Sequence, residues 1–354
     1  MKQAEVQAEP AAARPDSRVV GAPRSAWGAL EQQGVSWWGR FGNGLRAAVA
    51  WWIVWTLHYL RMQLELHVRR PLRSEPYLVM RLFRLVSRRF PVTVAYPNPL
   101  SPGRPLIMAL DLCRTHVEYF RQRARYERDW LRFIGQGMAG GAGFIDIGAH
   151  AGIFTIAAAQ AFPDRQVIAV EPLPANFEWL LRNIRLNRLD NVEPVRAAVS
   201  DRSGSVPFFV NPLQDGGGSL RAFDSYRTGN VAVDARAYQQ AHPRFQERVP
   251  VETRGLDELV RGPSVLKVDV EGGELEVLRS GSEALRSGWI DMAVIELDEE
   301  TVRETVALLD EAGFDCFQCG RRLPMTPETR LRFRIENIVA LRRGSALHRE
   351  VDFA

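Results

Sequence analysis

The sequence predicts an α/β fold, a mostly parallel sheet with helices on both faces, preceded by a helical N-terminal extension. Three observations predict it. Beyond about Tyr96, short β-branched runs alternate with stretches of helical spacing. The runs FIDIGA and QVIAVEP are almost continuously apolar, as strands covered on both faces are. Two glycines four apart, Gly148 and Gly152, follow the first run, where a strand turns into a helix.

The 354 residues, 46% hydrophobic and 25% charged, suffice for one large domain plus an extension. Residues 1–25 mix Ala, Pro and charges without hydrophobic period and are expected to form a flexible tail, with no signal-peptide centre. Residues 26–95 are expected to form a Trp- and Arg-rich helical extension, and six of the nine tryptophans lie within the first 55 residues. Within it Leu45 to Leu60, LRAAVAWWIVWTLHYL, is shorter than the roughly 20 residues that span a bilayer. It suits a core helix, a peripheral membrane contact or a dimer contact. The arginines of 69–89 read as a solvated face, and no nucleic-acid motif accompanies them. Three cysteines make no disulfide framework and point to a reducing, cytoplasmic setting, at most peripheral to the membrane. Cys316 and Cys319 form a lone C-x-x-C without a second pair, so no metal site is assigned.

Residues 96–354 carry the α/β pattern. FIDIGA is a strand and GIFTIAAAQAF its helix; QVIAVEP is a strand and ANFEWLLRNIRLNRL a helix with Phe177, Leu180, Leu181 and Ile184 on one stripe. VEPVRAAVS, SVLKVDVEG and DMAVIELD follow as strands, with LEVLRSGSEALRSG and ETVRETVALLDEAGF as helices. The glycine-rich stretch VNPLQDGGGSLRAFDSYRTGN is expected to be a long loop able to cover an acceptor.

The chemistry is read from charge. G-A-H-A-G is not the G-x-G-x-x-G of a dinucleotide site, and a pyrophosphate would be repelled by an ionised Asp146. A ligand bearing an ammonium and a sulfonium would be attracted by it. Glu171, at the end of the second strand, can accept from both hydroxyls of a ribose. Together these features describe S-adenosylmethionine. In SVLKVDVEGGELEVL, strict alternation puts Lys267, Asp269 and Glu271 on one side of a strand. Lys267 stands out because Lys2 is the only other lysine. It serves either as half of a structural ion pair or in the reaction, because lysine can lose its proton where arginine cannot.

The series FIDIGAHAGIFT, VIAVEPLPANFEWLLRNIRLN, VRAAVSDRSGSVPFF, LKVDVEGGELEVLRSG and IELD closely resembles the FkbM family of S-adenosylmethionine-dependent methyltransferases, over roughly residues 120 to 342. The resemblance implies a class I methyltransferase (Rossmann-like) fold, with a seven-stranded sheet whose antiparallel last strand is RIENIVALRR. It assigns Asp146, Gly148 and Gly152 to the methionine end of the cofactor and Glu171 to its ribose, with Asn176 holding the turn. Ser200 and Asp201 fall beside the adenine, and Glu127 with Tyr126 matches an acidic element before the first strand. Position 150 is usually asparagine in the family and is His150 here. The implied reaction is O-methylation of a hydroxyl on a secondary metabolite, sugar or glycan. Lys267, Asp269 and Glu271 are the catalytic candidates, and Glu296 and His150 stand behind them. A nicotinamide-dependent oxidoreductase and a noncatalytic methyltransferase-fold scaffold at a membrane or partner enzyme are the alternatives. The acceptor and the oligomeric state are not legible.

Overall fold

The computed structural model describes Val49 and residues 92–110, 128–211, 214–220, 225–228, 231–234, 247–297, 301–318, 321–322 and 337–351. The tail 1–25, the segment 45–60 apart from Val49, Tyr126, Glu127 and Cys319 lie outside the described residues.

A hairpin of β1 (Val92–Tyr96) and β2 (Leu106–Leu110) comes first. Next are α1 (Arg128–Ala139), β3 (Gly143–Ile147), α2 (Ile153–Ala161), β4 (Val167–Val170), α3 (Pro174–Leu186) and β5 (Val192–Val195). Here the chain leaves the main sheet. β6 (Ala198–Val199), β7 (Gly204–Asn211) and β8 (Gln214–Ser219) precede a small hairpin of β9 (Ser225–Thr228) and β10 (Val231–Asp234), and then comes β11 (Glu247–Arg254). β6, β11, β7 and β8 form a second, four-stranded sheet in that order. The expected single strand VEPVRAAVS is therefore two strands in different sheets. The expected glycine loop is largely strand, with Gly216, Gly217 and Gly218 inside β8. A side chain at Gly218 would meet the Phe208 ring at 2.4 Å, so glycine here serves close packing.

The chain re-enters the main sheet after α4 (Leu256–Leu259), through β12 (Ser264–Val268). α5 (Glu274–Arg279), α6 (Ser282–Ser287), β13 (Ile290–Glu296), α7 (Val302–Glu311), β14 (Phe314–Gln318), β15 (Arg321–Arg322), β16 (Asn337–Arg342) and α8 (Ala346–Glu350) complete it. The main sheet runs β15-β14-β16-β13-β12-β3-β4-β5. β16 lies antiparallel between β13 and β14, as expected for RIENIVALRR, while β13, β12, β3, β4 and β5 are mutually parallel. The two-residue β15 makes this an eight-stranded sheet where seven strands were expected.

Strand order reverses at β3. The chain builds outward through β4 and β5, then returns to place β12 on the other side of β3. In an open parallel sheet that reversal leaves a crevice beyond the carboxyl ends of the two strands. Side-chain alternation divides the core. Phe144 and Val265 face a cluster built with Leu131, Ile134, Ile156 and Ala157 of α1 and α2. Ile145, Ile147, Leu266 and Val268 face the opposite cluster with Val277, Leu278 and Leu285. Asp146 and Lys267 alternate onto the first of these faces, beneath α2.

Candidate active site

β3 and β12 are paired in register, with Lys267 directly beside Asp146. Neither has access to water: Asp146 is 0% and Lys267 2% exposed. Two charges buried this deeply are tolerable only when paired. Lys267 Nζ lies 3.1 Å from Asp146 Oδ1 and 3.4 Å from Asp269 Oδ2. It also donates to Gly148 O at 3.2 Å and sits 5.0 Å from the centre of the Phe154 ring. Thr155 Oγ1 donates to Asp146 Oδ2 at 2.6 Å. The structural ion pair is thus the arrangement found for Lys267. Asp146 is walled in, its Oδ2 accepting from Thr155 and its Oδ1 facing the Lys267 ammonium without a hydrogen bond. It fixes the ammonium that in turn fixes Asp269.

The glycine turn follows the same logic. Gly148 has φ +80, and a side chain there would lie 1.8 Å from Asp269 O. The atom approaching this glycine is therefore backbone from beyond β12, where a ligand had been expected. Asp269 N donates to Ile147 O at 3.1 Å and completes the clamp. Gly152, at φ +90, lies against Leu180 of α3. Between them His150 adopts φ +51, a left-handed conformation that histidine and asparagine tolerate better than most residues. Its backbone N–H donates to Glu171 Oε2 at 3.0 Å. Glu171 Oε1 accepts from Leu173 N at 3.0 Å and from Asn176 Nδ2 at 3.4 Å. Asn176 thus reaches back across the turn after β4 to the Glu171 carboxyl. Burial pushes the Glu171 carboxyl up to about 7 against those three donors.

β12 ends at Val268, one residue before Asp269. The expected alternation of Lys267, Asp269 and Glu271 along one strand therefore fails after its first member. Asp269 lies in the loop beyond the strand, its side chain 29% exposed. Glu271 sits in a turn at φ +56, exposed. Burial works to raise the Asp269 carboxyl, but the Lys267 ammonium, a hydrogen bond with Glu296 and nearby His150 hold it below the ordinary carboxylate range. Glu296, the last residue of β13, goes the other way, up to about 11, through burial and the adjoining Asp269 charge. One carboxylate and one carboxylic acid sharing a proton is the arrangement that like charges in contact require. Partial removal from water, then Asp269 and Glu274, push Glu271 up to about 8.

Three contributors escaped the sequence reading. Glu274 Oε1 accepts from Gly272 N at 2.9 Å and Val270 N at 3.4 Å, which holds the turn that presents Glu271. Thr155 and Phe154 close the pocket around Asp146 and Lys267. A hydroxyl in the apolar run IFTIAAA was the available signal for Thr155. Ser200 is buried, its backbone N–H donating to Arg254 O and its hydroxyl to Asp201 Oδ1, and Asp201 is exposed. Cys316 is buried in β14, and burial followed by Asp315 pushes its thiol up to about 12, which makes it inert. Among the described residues no group of His, Cys, Asp and Glu is arranged to hold a metal ion.

A parallel sheet with one antiparallel strand set between β13 and β14, an acidic residue closing β4 and an acid-lined crevice at the β3/β12 reversal define a class I methyltransferase. Residues 146–316 match the family model described as the methyltransferase FkbM domain. "Methyltransferase sdnD" of Sordaria araneosa is 29% identical over 188 residues, covering 48% of this chain and 73% of that protein. "Hexuronic acid methyltransferase AglP" of Haloferax volcanii is 30% identical over 173 residues, covering 47% and 59%. Among solved structures, a precorrin-6y C5,15-methyltransferase from Geobacter metallireducens aligns with a TM-score of 0.35 at 14% identity, over 62% of this chain and 89% of that one.

The cofactor of this domain is S-adenosylmethionine, and the residues present fit it. Glu171, buried just beyond β4, keeps acceptor capacity for a ribose hydroxyl. At the other end, two carboxylates share the Lys267 ammonium, a balance that suits a cationic ligand.

Proposed function

We propose that this domain methylates a hydroxyl oxygen on a small-molecule or glycan acceptor, with Asp269 taking the proton. The carrying observation is Asp269 itself, a carboxylate held ionised at the rim of the crevice. Its position is fixed by Lys267 below, Glu296 beside it and the Gly148 contact behind it. When bound, the cofactor supplies an electrophilic methyl group and is left as a neutral thioether. What remains for the protein is to position the acceptor oxygen and receive its proton as the oxygen attacks. Lys267 contributes by orienting Asp269, being too deeply buried to meet an acceptor. In this reading Asp146, Gly148, His150 and Gly152 shape the methionine end, while Glu171, Asn176, Ser200 and Asp201 line the nucleoside end. Glu271, exposed in its turn, faces the acceptor. The relative named as a hexuronic acid methyltransferase supports sugars as the first acceptors to try.

The test is methyl transfer from labelled S-adenosylmethionine to a panel of hexuronic acid glycosides and polyhydroxylated metabolites. The expected product is an ether that survives alkali; an alkali-labile ester would move the reaction to a carboxylate. With saturating cofactor, Asp269→Asn should lower turnover by about 10²-fold or more, the scale of a positioned base. Near-normal turnover would remove Asp269 from that role. Preferential binding of a nicotinamide dinucleotide, measured by calorimetry, would overturn the class of reaction altogether.

A further inference from the structure

We propose that Asp269 also senses the charge on the cofactor's sulfur, so that the site favours the cationic cofactor over its neutral thioether product. The inference rests on the S-adenosylmethionine reading of the crevice. Its basis is how few charges balance and how rigidly they are held. Among the described residues, the Lys267 ammonium is in contact with both Asp146 and Asp269. Asp146, sealed beneath α2, draws on the same ammonium, so Asp269, partly open to the crevice, shares its cation with a second carboxylate, and His150 is the other positive influence near it. Burial and the Asp269 charge favour the protonated, uncharged form of nearby Glu296.

Asp269 cannot swing away. Its N–H is bonded to Ile147 O, its own carbonyl packs against Gly148, and its side chain is held by Lys267 and Glu296. A fixed carboxylate next to the turn that shapes the methionine end is a preorganised counter-charge, and it needs no rearrangement to meet a cation. Methyl transfer removes that cation. Once Asp269 has passed the acceptor's proton to solvent, the product faces the carboxylate without a charge of its own, which favours release.

Calorimetry on the full chain at neutral pH needs no acceptor. Three probes suffice: S-adenosylmethionine; S-adenosylhomocysteine, which lacks the charge; and sinefungin, which carries an amine cation in place of the sulfonium. The two cations should bind about tenfold more tightly than S-adenosylhomocysteine, the scale of a partly screened charge pair. In Asp269→Asn the three affinities should converge, and in Asp269→Glu the preference should persist. S-adenosylhomocysteine binding as tightly as S-adenosylmethionine to the wild type would overturn the inference, and this arm does not depend on a variant folding. An unchanged preference in a folded Asp269→Asn would overturn it equally. Binding of none of the three would defeat the cofactor reading itself, a result distinct from either.

Discussion

Three non-glycine residues among those described have positive φ: His150, Arg188 and Glu271. Two of the three belong to the turns that follow β3 and β12 and flank Asp269. Left-handed backbone in such residues costs on the order of 1 kcal/mol each and persists where surrounding contacts enforce it. For Glu271 the enforcing contacts are the two N–H groups bonded to Glu274, and for His150 the bond from its own N–H to Glu171. Gly148 shows the same pressure with less freedom. Gly148→Ala combines a left-handed backbone with a side chain 1.8 Å from Asp269 O, so it should destabilise by about 3 kcal/mol or more. Gly103→Ala provides the contrast. At φ +94 with nothing within 4 Å, it should cost only the backbone strain, about 1 kcal/mol. Denaturant unfolding of the two variants compares them directly, and equal losses would show that the contact with Asp269 is not what demands glycine at 148.

At the level of elements, α3 does more than cover the sheet. The expected apolar stripe on this helix includes Leu180 and Ile184, both buried, but Asn183 is buried beside them and Asn187 follows at the helix end. Both use their amides as surrogate strand. Asn187 Oδ1 accepts from Ile107 N and its Nδ2 donates to Ile107 O. Asn183 Oδ1 accepts from Ala109 N, and its Nδ2 donates to Ala151 O at 2.9 Å. One side chain thereby ties the β1/β2 hairpin, α3 and the glycine turn together. Asn183→Leu would leave the Ala109 N–H and the Ala151 carbonyl without this buried partner, at a cost of about 2–4 kcal/mol. Cofactor affinity should fall with it. Thermal melts with and without S-adenosylmethionine test both statements; a loss of stability with unchanged affinity would separate the hairpin from the site. The i, i+4 asparagines are visible in the sequence, yet nothing local says that they meet β2, which lies more than seventy residues away.

For the molecule as a whole, the buried acids set the response to pH. Burial raises Glu171 and Glu274 from the ordinary 4.5 to about 7 each. A carboxyl raised in the folded state keeps its proton after the unfolded chain has lost it. Its contribution is therefore complete below about pH 4.5 and is lost as pH rises through 7. Asp269, held low, acts in the opposite sense but only in the acid range below its ordinary value. Between pH 5 and 8 the raised groups dominate, and stability without ligand should fall by about 2–3 kcal/mol for each of Glu171 and Glu274. Melting temperatures across that range provide the check. A stability that rises with pH would mean that these carboxyls are ionised in the folded protein.

The sequence alone carried the strands β3, β4, β12, β13 and β16 with the helices between them, the antiparallel last strand and the family resemblance, but not the inserted sheet of β6 to β11. Hydrophobic period and glycine placement are local and repeat within a few residues. It also singled out Asp146, Glu171, Lys267 and Asp269. Only the tertiary structure decided what these residues do to one another. Lys267 is 119 residues from Gly148 in the chain and 3.2 Å from its carbonyl. Charge on a sequence does not reveal whether an acid faces a ligand or a neighbouring strand. Register between β3 and β12 settled that, turning Asp146 inward and leaving Asp269 at the rim, because a buried charge must find its partner within the fold before it can serve anything outside it.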